Sequence, residues 1–184
     1  FDLKVIRLEQ NQGLSAARNQ GVALAKNENL IFLDSDIVLT RNYVREISLR
    51  LELIPNAVFV SFKRNIELEA KEISDQSISK GLEAPSFYDD IRLSRHINKD
   101  RKGLYVLEQD KLVEALDDSN FFKNFGYGRQ IEIFDLATMV IGHNMCLRKK
   151  LVLDAGCFST YFKGWGMEDA YFGSKVIANG NFVI

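Results

Sequence analysis

Four apolar residues lead directly into two aspartates in the segment Leu30-Ile31-Phe32-Leu33-Asp34-Ser35-Asp36. A continuous apolar run of this length after a helix predicts a buried parallel strand. Carboxylates at the carboxyl end of such a strand would project into the crevice where open α/β sheets bind ligands, and Mg²⁺ and Mn²⁺ prefer hard oxygen ligands of this kind. Acids also end strands because polar turns follow. The spacing alone therefore leaves open both a metal site at Asp34 and Asp36 and a solvated turn.

The residues around this strand predict alternating strands and helices. Apolar residues alternate over 1–8, which predicts a strand, and small and apolar residues recur at helical spacing over 16–25. Ser15 is the predicted N-cap of that helix, and Thr40 is the predicted N-cap of a second helix with one apolar stripe. An apolar strand over 57–62 follows. Strands and helices in alternation are the signature of an α/β layer architecture.

The rest of the chain consists of a charged middle segment and a second regular segment. The middle segment is rich in Asp, Asn and Ser and has only short periodic pieces, which is typical of an insertion of helices and loops. Regular patterning then predicts a strand over 139–141, helices over 148–155 and 168–179, and a strand that starts at Phe182. We therefore predict a single domain with three segments, which are 1–63, the variable insertion 64–130, and 131–184.

Composition narrows the class of protein. Of the 184 residues, 46% are hydrophobic and 27% are charged, which is close to the usage of globular domains. The net charge of −1 argues against a nucleic-acid binder, which normally has a basic face. No apolar run approaches the ~20 residues of a membrane-spanning helix, and no signal-peptide pattern is present. Cys146 and Cys157 form no CxxC motif, so we expect reduced core thiols in a reducing compartment.

A second segment that can carry chemistry is Gly164-Trp165-Gly166-Met167-Glu168-Asp169. Its glycines allow a sharply folded loop, and its acids stand at a predicted helix start, where the helix dipole keeps carboxylates ionised. An ionised carboxylate in a pocket suits a general base, and the flat face of Trp165 suits stacking on a sugar ring. Acids are also favoured at helix starts for stability alone, and a single tryptophan is usually a core residue. Both interpretations stay open at this point.

Three further residues are weaker candidates for ligand contacts. His143 and Asn144 lie between the predicted strand and helix of the second regular segment, but a single histidine is more often structural. Arg18, on the first predicted helix, either faces a diphosphate or is a surface charge. Neither histidine has a partner at metal-ligand spacing, which argues against a zinc site. The absence of GxSxG, P-loop and GxGxxG motifs leaves hydrolase, kinase and dinucleotide-binding functions without support.

Taken in order, these segments resemble a known family. The stretch Asn11-Gln12-Gly13-Leu14-Ser15-Ala16-Ala17-Arg18-Asn19-Gln20-Gly21, with Ala25 and the segment 30–36, resembles the family 2 glycosyltransferases of the GT-A fold. Three later segments resemble the C-terminal region shared with galactosyltransferases and N-acetylgalactosaminyltransferases. These segments are Gly142-His143-Asn144-Met145-Cys146-Leu147-Arg148, Gly156-Cys157-Phe158 and Gly164-Trp165-Gly166-Met167-Glu168-Asp169. Two ordered blocks are far more specific than either one alone. The resemblance implies an α/β fold of the GT-A (Rossmann-like) type, with a mixed, mainly parallel sheet flanked by helices.

The resemblance also implies a reaction. The donor is expected to be a nucleotide sugar, usually a UDP-sugar, the acceptor a glycan or glycoconjugate, and the cofactor Mn²⁺ or Mg²⁺. Asp34 and Asp36 match the DXD positions at the ribose and the metal. Asp169 matches the acid that is the catalytic base in inverting members. The other expected site residues are Gly13, Arg18 and Ser35 on the donor side, and His143, Asn144, Trp165, Gly166 and Glu168 on the acceptor side.

The resemblance assigns roles to two segments of the chain. Residues 1–63 would carry the nucleotide sugar and the DXD motif, and residues 131–184 the acceptor contacts and the base. We expect the choice of acceptor to lie in the variable insertion 64–130. Family members carry a nucleobase-binding strand before the equivalent of Phe1 and a histidine metal ligand after the equivalent of Ile184, so we expect a catalytic domain truncated at both ends. The expected location is the cytoplasm, with peripheral association at the inner membrane face left open. The alternatives are a catalytically silent binding or scaffold module of the same fold and a nucleotidyltransferase, which the WGMED segment disfavours.

Overall fold

The computed structural model describes residues 3–61, 137–164 and 166–184. The predicted insertion 64–130 and Trp165 therefore lie outside the described residues. Within the described ranges the elements are, in chain order, α1 (Leu14–Leu24), β1 (Asn29–Leu33), α2 (Tyr43–Leu53), β2 (Ala57–Val60), β3 (Asn144–Arg148), α3 (Lys149–Asp154), α4 (Glu168–Ala178) and β4 (Phe182–Val183).

The described strands form one mixed sheet in the order β1-β3-β2-β4. β3 is antiparallel to both of its neighbours, and its Met145 lies opposite Phe32 of β1 and Val60 of β2. β4 is parallel to β2. Strands β1, β2 and β4 therefore share one direction, and β3 runs against them. The prediction of a mixed α/β sheet with helices is confirmed for the described residues. The mainly parallel pairing is not found there, because two of the three described strand pairings are antiparallel.

Strand β1 differs from its prediction in pairing and in burial. Its hydrogen-bonded neighbour in the described sheet is the antiparallel β3, so the predicted parallel pairing is not found there. Leu30 is buried, but Leu33 is 42% exposed. Leu33 is the last residue of β1 and lies next to the exposed turn that begins at Asp34. Asp34 follows directly after the last residue of β1, as predicted.

Side chains alternate between the two faces of the sheet, as the strand period of two requires. On one face, Val58, Met145 and Leu147 are fully buried against apolar residues of α1, α3 and α4. On the other face, Phe59 and Cys146 pack against the apolar stripe of α2. The sheet therefore lies between helices on both faces, which is the layered α/β architecture that the sequence predicts.

Both predicted N-caps are wrong. α1 begins directly after Gly13, whose φ of 85° lies in the left-handed region, and Ser15 is buried within the first turn of the helix. α2 begins only at Tyr43, because a turn in which Tyr43 N donates to Thr40 O precedes the helix. A polar residue in the sequence marks the neighbourhood of a helix start, but the backbone conformation fixes the first helical residue.

Two predicted strands are also wrong. The described residues 3–8 form no strand and are largely exposed. Residues 139–141 lie at the end of a turn, and strand β3 begins only at Asn144. Met139 and Val140 are nevertheless buried, and short buried apolar runs outside strands have the same sequence pattern as strands. The predicted helices over 148–155 and 168–179 are confirmed as α3 and α4.

The structure also bears on the cysteines and on membrane spans. Cys146 is fully buried and Cys157 is half-buried against the core, and both are free thiols, as expected. None of the described helices is both long enough and apolar enough to cross a bilayer.

Candidate functional site

Arg18 of helix α1 lies against two acidic residues, Glu168 and Asp169, in the first turn of α4. Arg18 Nη1 donates to Asp169 Oδ1 at 2.6 Å and to Glu168 Oε1 at 3.3 Å. The side chains of Arg18 and Glu168 are 9% and 6% exposed, and that of Asp169 is 20% exposed. Because water screens charges poorly at such burial, these ion pairs are stronger than pairs on the surface. They join residues that are 150 and 151 positions apart in the sequence.

A backbone amide holds the second oxygen of Asp169. Gly142 N donates to Asp169 Oδ2 at 2.7 Å. A Cβ atom added to Gly142 would collide with the guanidinium of Arg18 and lie 2.9 Å from Asp169 Oδ1. Only glycine therefore permits this close approach. We refer to Arg18, Gly142 and Asp169 together as the carboxylate clamp.

The surroundings of Asp169 change its acidity. Burial raises the pKa of Asp169 above its ordinary value, against the opposing effects of the Arg18 charge and of the Gly142 N–H, which both lower it. The negative charges of Glu168 and Asp34 raise the pKa of Asp169 further. The backbone also connects the two acids, because Asp34 N donates to His143 O and the adjacent Gly142 N donates to Asp169 Oδ2.

An aromatic cluster supports the clamp. The guanidinium carbon of Arg18 lies 5.3 Å from the centre of the Phe158 ring. The adjacent Asn19 fixes the backbone of Phe158 through two hydrogen bonds, from Asn19 Nδ2 to Phe158 O at 2.8 Å and from Phe158 N to Asn19 Oδ1 at 3.0 Å. The Phe158 ring stacks on Phe172 of α4 at 4.4 Å and meets Phe32 of β1 edge-on at 5.3 Å. These contacts tie α1, β1 and α4 together around Arg18.

The Asp34-Ser35-Asp36 triplet forms an exposed turn after β1. Asp34 N donates to His143 O at 3.0 Å, and Asp34 O accepts from Ile37 N at 3.2 Å. Asp34, Ser35 and Asp36 are all exposed, while His143 is half-buried. In the described ranges no three His, Cys, Asp or Glu side chains gather in a group that could hold a metal ion. Two accessible carboxylates fit a hard divalent cation that takes its other ligands from phosphate and water.

A comparison with protein families decides the identity. The sequence profile described as Glycosyl transferase family 2 matches residues 1–154 of the 184. The chain belongs to glycosyl transferase family 2. The family implies a GT-A fold, with which the described mixed sheet and its helices agree. No curated protein matches the chain. The family match ends before α4, so the roles of Glu168 and Asp169 rest on geometry and on the resemblance described above.

In this glycosyltransferase, the predicted donor residue Gly13 lies beside the segment that leads to α4. Gly13 N donates to Asn11 Oδ1 at 3.0 Å. A Cβ atom added to Gly13 would lie 3.4 Å from the carbonyl oxygens of both Phe162 and Lys163. The loop before α1 and the segment before α4 therefore come into contact at Gly13.

The entry into α4 shapes the acceptor side that the sequence predicts for this glycosyltransferase. Gly166 and Met167 have φ values of 101° and 69°, so the backbone turns sharply before Glu168 begins the helix. Glu168 is 4% exposed, and its Oε2 atom has no hydrogen-bond partner among the described residues. A buried carboxylate oxygen without a partner is costly. Trp165 lies outside the described residues.

Asn144 is the predicted site residue that the structure places elsewhere in the glycosyltransferase fold. Its Oδ1 accepts a hydrogen bond from the Tyr43 hydroxyl at 2.6 Å, and that hydroxyl also contacts Ser61 Oγ at 2.6 Å and Cys146 Sγ at 3.1 Å. Burial raises the pKa of Tyr43, and it raises the pKa of Cys146 to about 12, so both groups stay protonated. The Asn144 side chain thus faces α2, on the opposite side of the sheet from the carboxylate clamp.

Three residues of the glycosyltransferase site were not predicted from the sequence. Gly142 begins the motif at 142–148, and a glycine beside polar residues was a usable signal for a close backbone contact. Asn19 is next to Arg18, but nothing local shows that it bonds to the backbone of Phe158. The position of Phe158 under Arg18 is visible only in three dimensions.

Proposed function

We propose that this glycosyltransferase transfers a hexosyl or N-acetylhexosaminyl group from a UDP-sugar to a glycan or glycoconjugate acceptor, in polysaccharide biosynthesis, with a divalent cation and with inversion. The observation that carries the proposal is the carboxylate of Asp169, which is held by Arg18 and Gly142. The next residue, His143, accepts a hydrogen bond from Asp34 N. A base for the acceptor and acids for the donor diphosphate would then share one site, as a direct displacement requires.

In the proposed mechanism, Asp169 is the general base. Its carboxylate accepts the proton of the acceptor hydroxyl while the hydroxyl oxygen attacks the anomeric carbon. The bond between that carbon and the diphosphate oxygen breaks in the same displacement, which inverts the anomeric configuration. Burial raises the pKa of Asp169 and so makes the carboxylate a stronger base, and Arg18 and the Gly142 amide limit that rise.

The proposed donor side consists of the exposed turn after β1 and the start of α1. Asp34 and Asp36 would hold Mn²⁺ or Mg²⁺, and the bound cation would neutralise the charge on the leaving diphosphate. Ser35 lies between these acids, and its hydroxyl is exposed to a ligand. Gly13 precedes the N-terminus of α1, where free backbone N–H groups favour anions.

The proposed acceptor side surrounds the start of α4. Glu168 begins α4 directly before Asp169, and this position beside the proposed base supports a role near the acceptor. Gly166 and Trp165 precede Glu168 in the chain, and His143 follows the Gly142 amide that holds Asp169. The side chain of Asn144 is engaged on the α2 face, so an acceptor contact at this position would involve its backbone.

The experiment that tests the proposal separates binding from turnover. The full-length protein is titrated calorimetrically with UDP-glucose, UDP-galactose, UDP-N-acetylglucosamine and UDP-N-acetylgalactosamine, with and without Mn²⁺, and UDP release is followed in parallel. We expect Asp36→Ala to abolish the metal-dependent heat. We expect Asp169→Asn to retain that heat and to lose roughly 10²-fold or more in UDP release, because general-base catalysis is removed.

The matched control replaces an acid away from the site. Asp154 is exposed at the end of α3 and pairs with Lys150 at 2.7 Å, so Asp154→Ala and Asp154→Asn should leave binding and turnover unchanged. Absence of metal-dependent heat with every donor would refute the transferase proposal in this form and favour a silent module. Normal turnover by Asp169→Asn would refute the assignment of the base alone.

A further inference from the structure

We propose that Arg18 is a positioning residue that holds Asp169 in its reactive orientation, and not a ligand of the donor diphosphate. The inference rests on the proposed function, because it gives Arg18 a role in the proton transfer to Asp169. Arg18 would then touch no substrate. It would instead fix the orientation and the charge of the Asp169 carboxylate, which contacts the acceptor in the proposed mechanism.

The carboxylate clamp restricts rotation of the Asp169 side chain. Each carboxylate oxygen has a separate partner, since Oδ1 accepts from Arg18 Nη1 at 2.6 Å and Oδ2 accepts from Gly142 N at 2.7 Å. The carboxylate cannot rotate without breaking one of these bonds. Each oxygen has a second lone pair, so a hydroxyl group of a substrate can approach along a direction that the clamp has already set.

Arg18 is itself fixed and largely covered. Its guanidinium lies over Phe158, whose backbone is bound at both its N–H and C=O groups by Asn19, the next residue of the same helix. The side chain is 9% exposed and already neutralised by Glu168 and Asp169. A diphosphate would have to displace these carboxylates and approach their negative charges. This arrangement favours a positioning role over phosphate binding.

The charges around Asp169 predict what the loss of Arg18 would change. Burial and the adjacent Glu168 charge raise the pKa of Asp169, and the Arg18 guanidinium lowers it. Without the guanidinium, Asp169 would stay protonated up to a higher pH. A base must be ionised to accept a proton, so the acid limb of the pH profile of kcat would move to higher pH. A lysine would keep the charge but lose the guanidinium geometry.

The test compares Arg18→Met and Arg18→Lys with a matched surface variant, Arg45→Lys, since Arg45 is exposed on α2. In the full-length protein, kcat and the donor KM for Mn²⁺-dependent UDP release are measured against pH, and ¹³C-aspartate NMR follows the titration of Asp169. For Arg18→Met we expect kcat to fall roughly 10- to 100-fold through misplacement of the base, the donor KM to stay unchanged and the acid limb to move to higher pH. Arg18→Lys should restore the acid limb and only part of kcat, and Arg45→Lys should match the wild type.

The outcomes separate this inference from the proposed function. In an Asp169→Asn background, Arg18→Met should cause no further loss of kcat, because Arg18 acts through Asp169. A raised donor KM with an unmoved acid limb would make Arg18 a donor ligand and overturn the inference. If the wild type releases no UDP, the proposed function fails. The NMR titration of Asp169 then still tests the role of Arg18, because an unchanged titration in the Arg18 variants overturns the inference. If Arg18→Met does not fold, Arg18→Lys carries the same comparison.

Discussion

Alanine at position 142 would disturb the carboxylate clamp without straining the backbone. The φ angle of Gly142 lies outside the left-handed region, so an alanine can adopt the same backbone conformation. Its methyl group would collide with the guanidinium of Arg18 and lie 2.9 Å from Asp169 Oδ1. The guanidinium is the end of a long side chain and can retreat. Its retreat would break the 2.6 Å bond to Asp169.

The size of the effect follows from the contacts involved. Loss of a hydrogen bond to a charged group costs about 1.5–3 kcal/mol, and replacing glycine by alanine contributes about 0.4–1 kcal/mol by restricting the unfolded chain. We therefore expect Gly142→Ala to lower the free energy of unfolding by about 1–2 kcal/mol, and Tm by roughly 2–8 °C. The effect on kcat should be larger, roughly 10- to 100-fold, because misplacement of a catalytic group by about 1 Å is that costly.

The assay pairs urea unfolding with kinetics of UDP release. Gly21→Ala on α1 is the control, because no atom within 4 Å would meet its added Cβ. It should raise the free energy of unfolding by up to about 1 kcal/mol and leave kcat unchanged. If Gly142→Ala proves as stable as Gly21→Ala and equally active, the close contact between Gly142 and Arg18 does not constrain Asp169, and the reasoning fails.

Three further predictions concern stability. Gly173→Ala should lower the free energy of unfolding by about 1–3 kcal/mol through overpacking, measured in urea, because its Cβ would lie 2.6 Å from the carbonyl oxygen of Ala137; stability equal to that of Gly21→Ala would contradict this. Tyr43→Phe should cost about 1–3 kcal/mol by leaving the buried Asn144 amide without its hydroxyl partner, with the heat of UDP-sugar binding unchanged as the check that the effect is confined to the α2 face. Because burial raises the pKa of Asp169 in the folded state, the folded state binds a proton at a higher pH than the unfolded state does. As the pH falls from above that pKa to the ordinary aspartate value, the stability of the wild type relative to Asp169→Asn should therefore increase. Parallel curves of unfolding free energy against pH for the two proteins would contradict this prediction.

The elements that the sequence predicted well are those with a local pattern. The helices α1, α3 and α4 and the strands β1 and β2 each have their own periodicity, and the structure confirms them within a few residues. Their ends were less predictable, because Gly13 and the turn at Thr40 set helix starts through backbone geometry. The strand predicted over 139–141 was wrong for a related reason, because buried side chains at a turn have the same apolar pattern as a short strand.

The same distinction applies to the candidate site. Arg18, Glu168 and Asp169 were found by their motifs, but the bonds between them span about 150 residues, and no local pattern encodes such a contact. Asn144 shows that residues of one motif can face different sides of the sheet, because its side chain bonds to Tyr43 on the α2 face. Strand side chains alternate between faces, so a shift of one position decides whether a residue faces α2 or α4.

One hydrogen bond at the exit of β2 has a consequence for variation in this family. Ser61 N donates to Asn144 O at 3.3 Å, next to the pairing of Val60 with Met145. Residues 62–136 thus lie within a longer stretch whose two ends, Ser61 and Asn144, are fastened to each other within the sheet. Closing a longer connection between fastened points costs only about 0.6 kcal/mol for each doubling of its length. Insertions and deletions in this interval are therefore expected to be thermodynamically cheap.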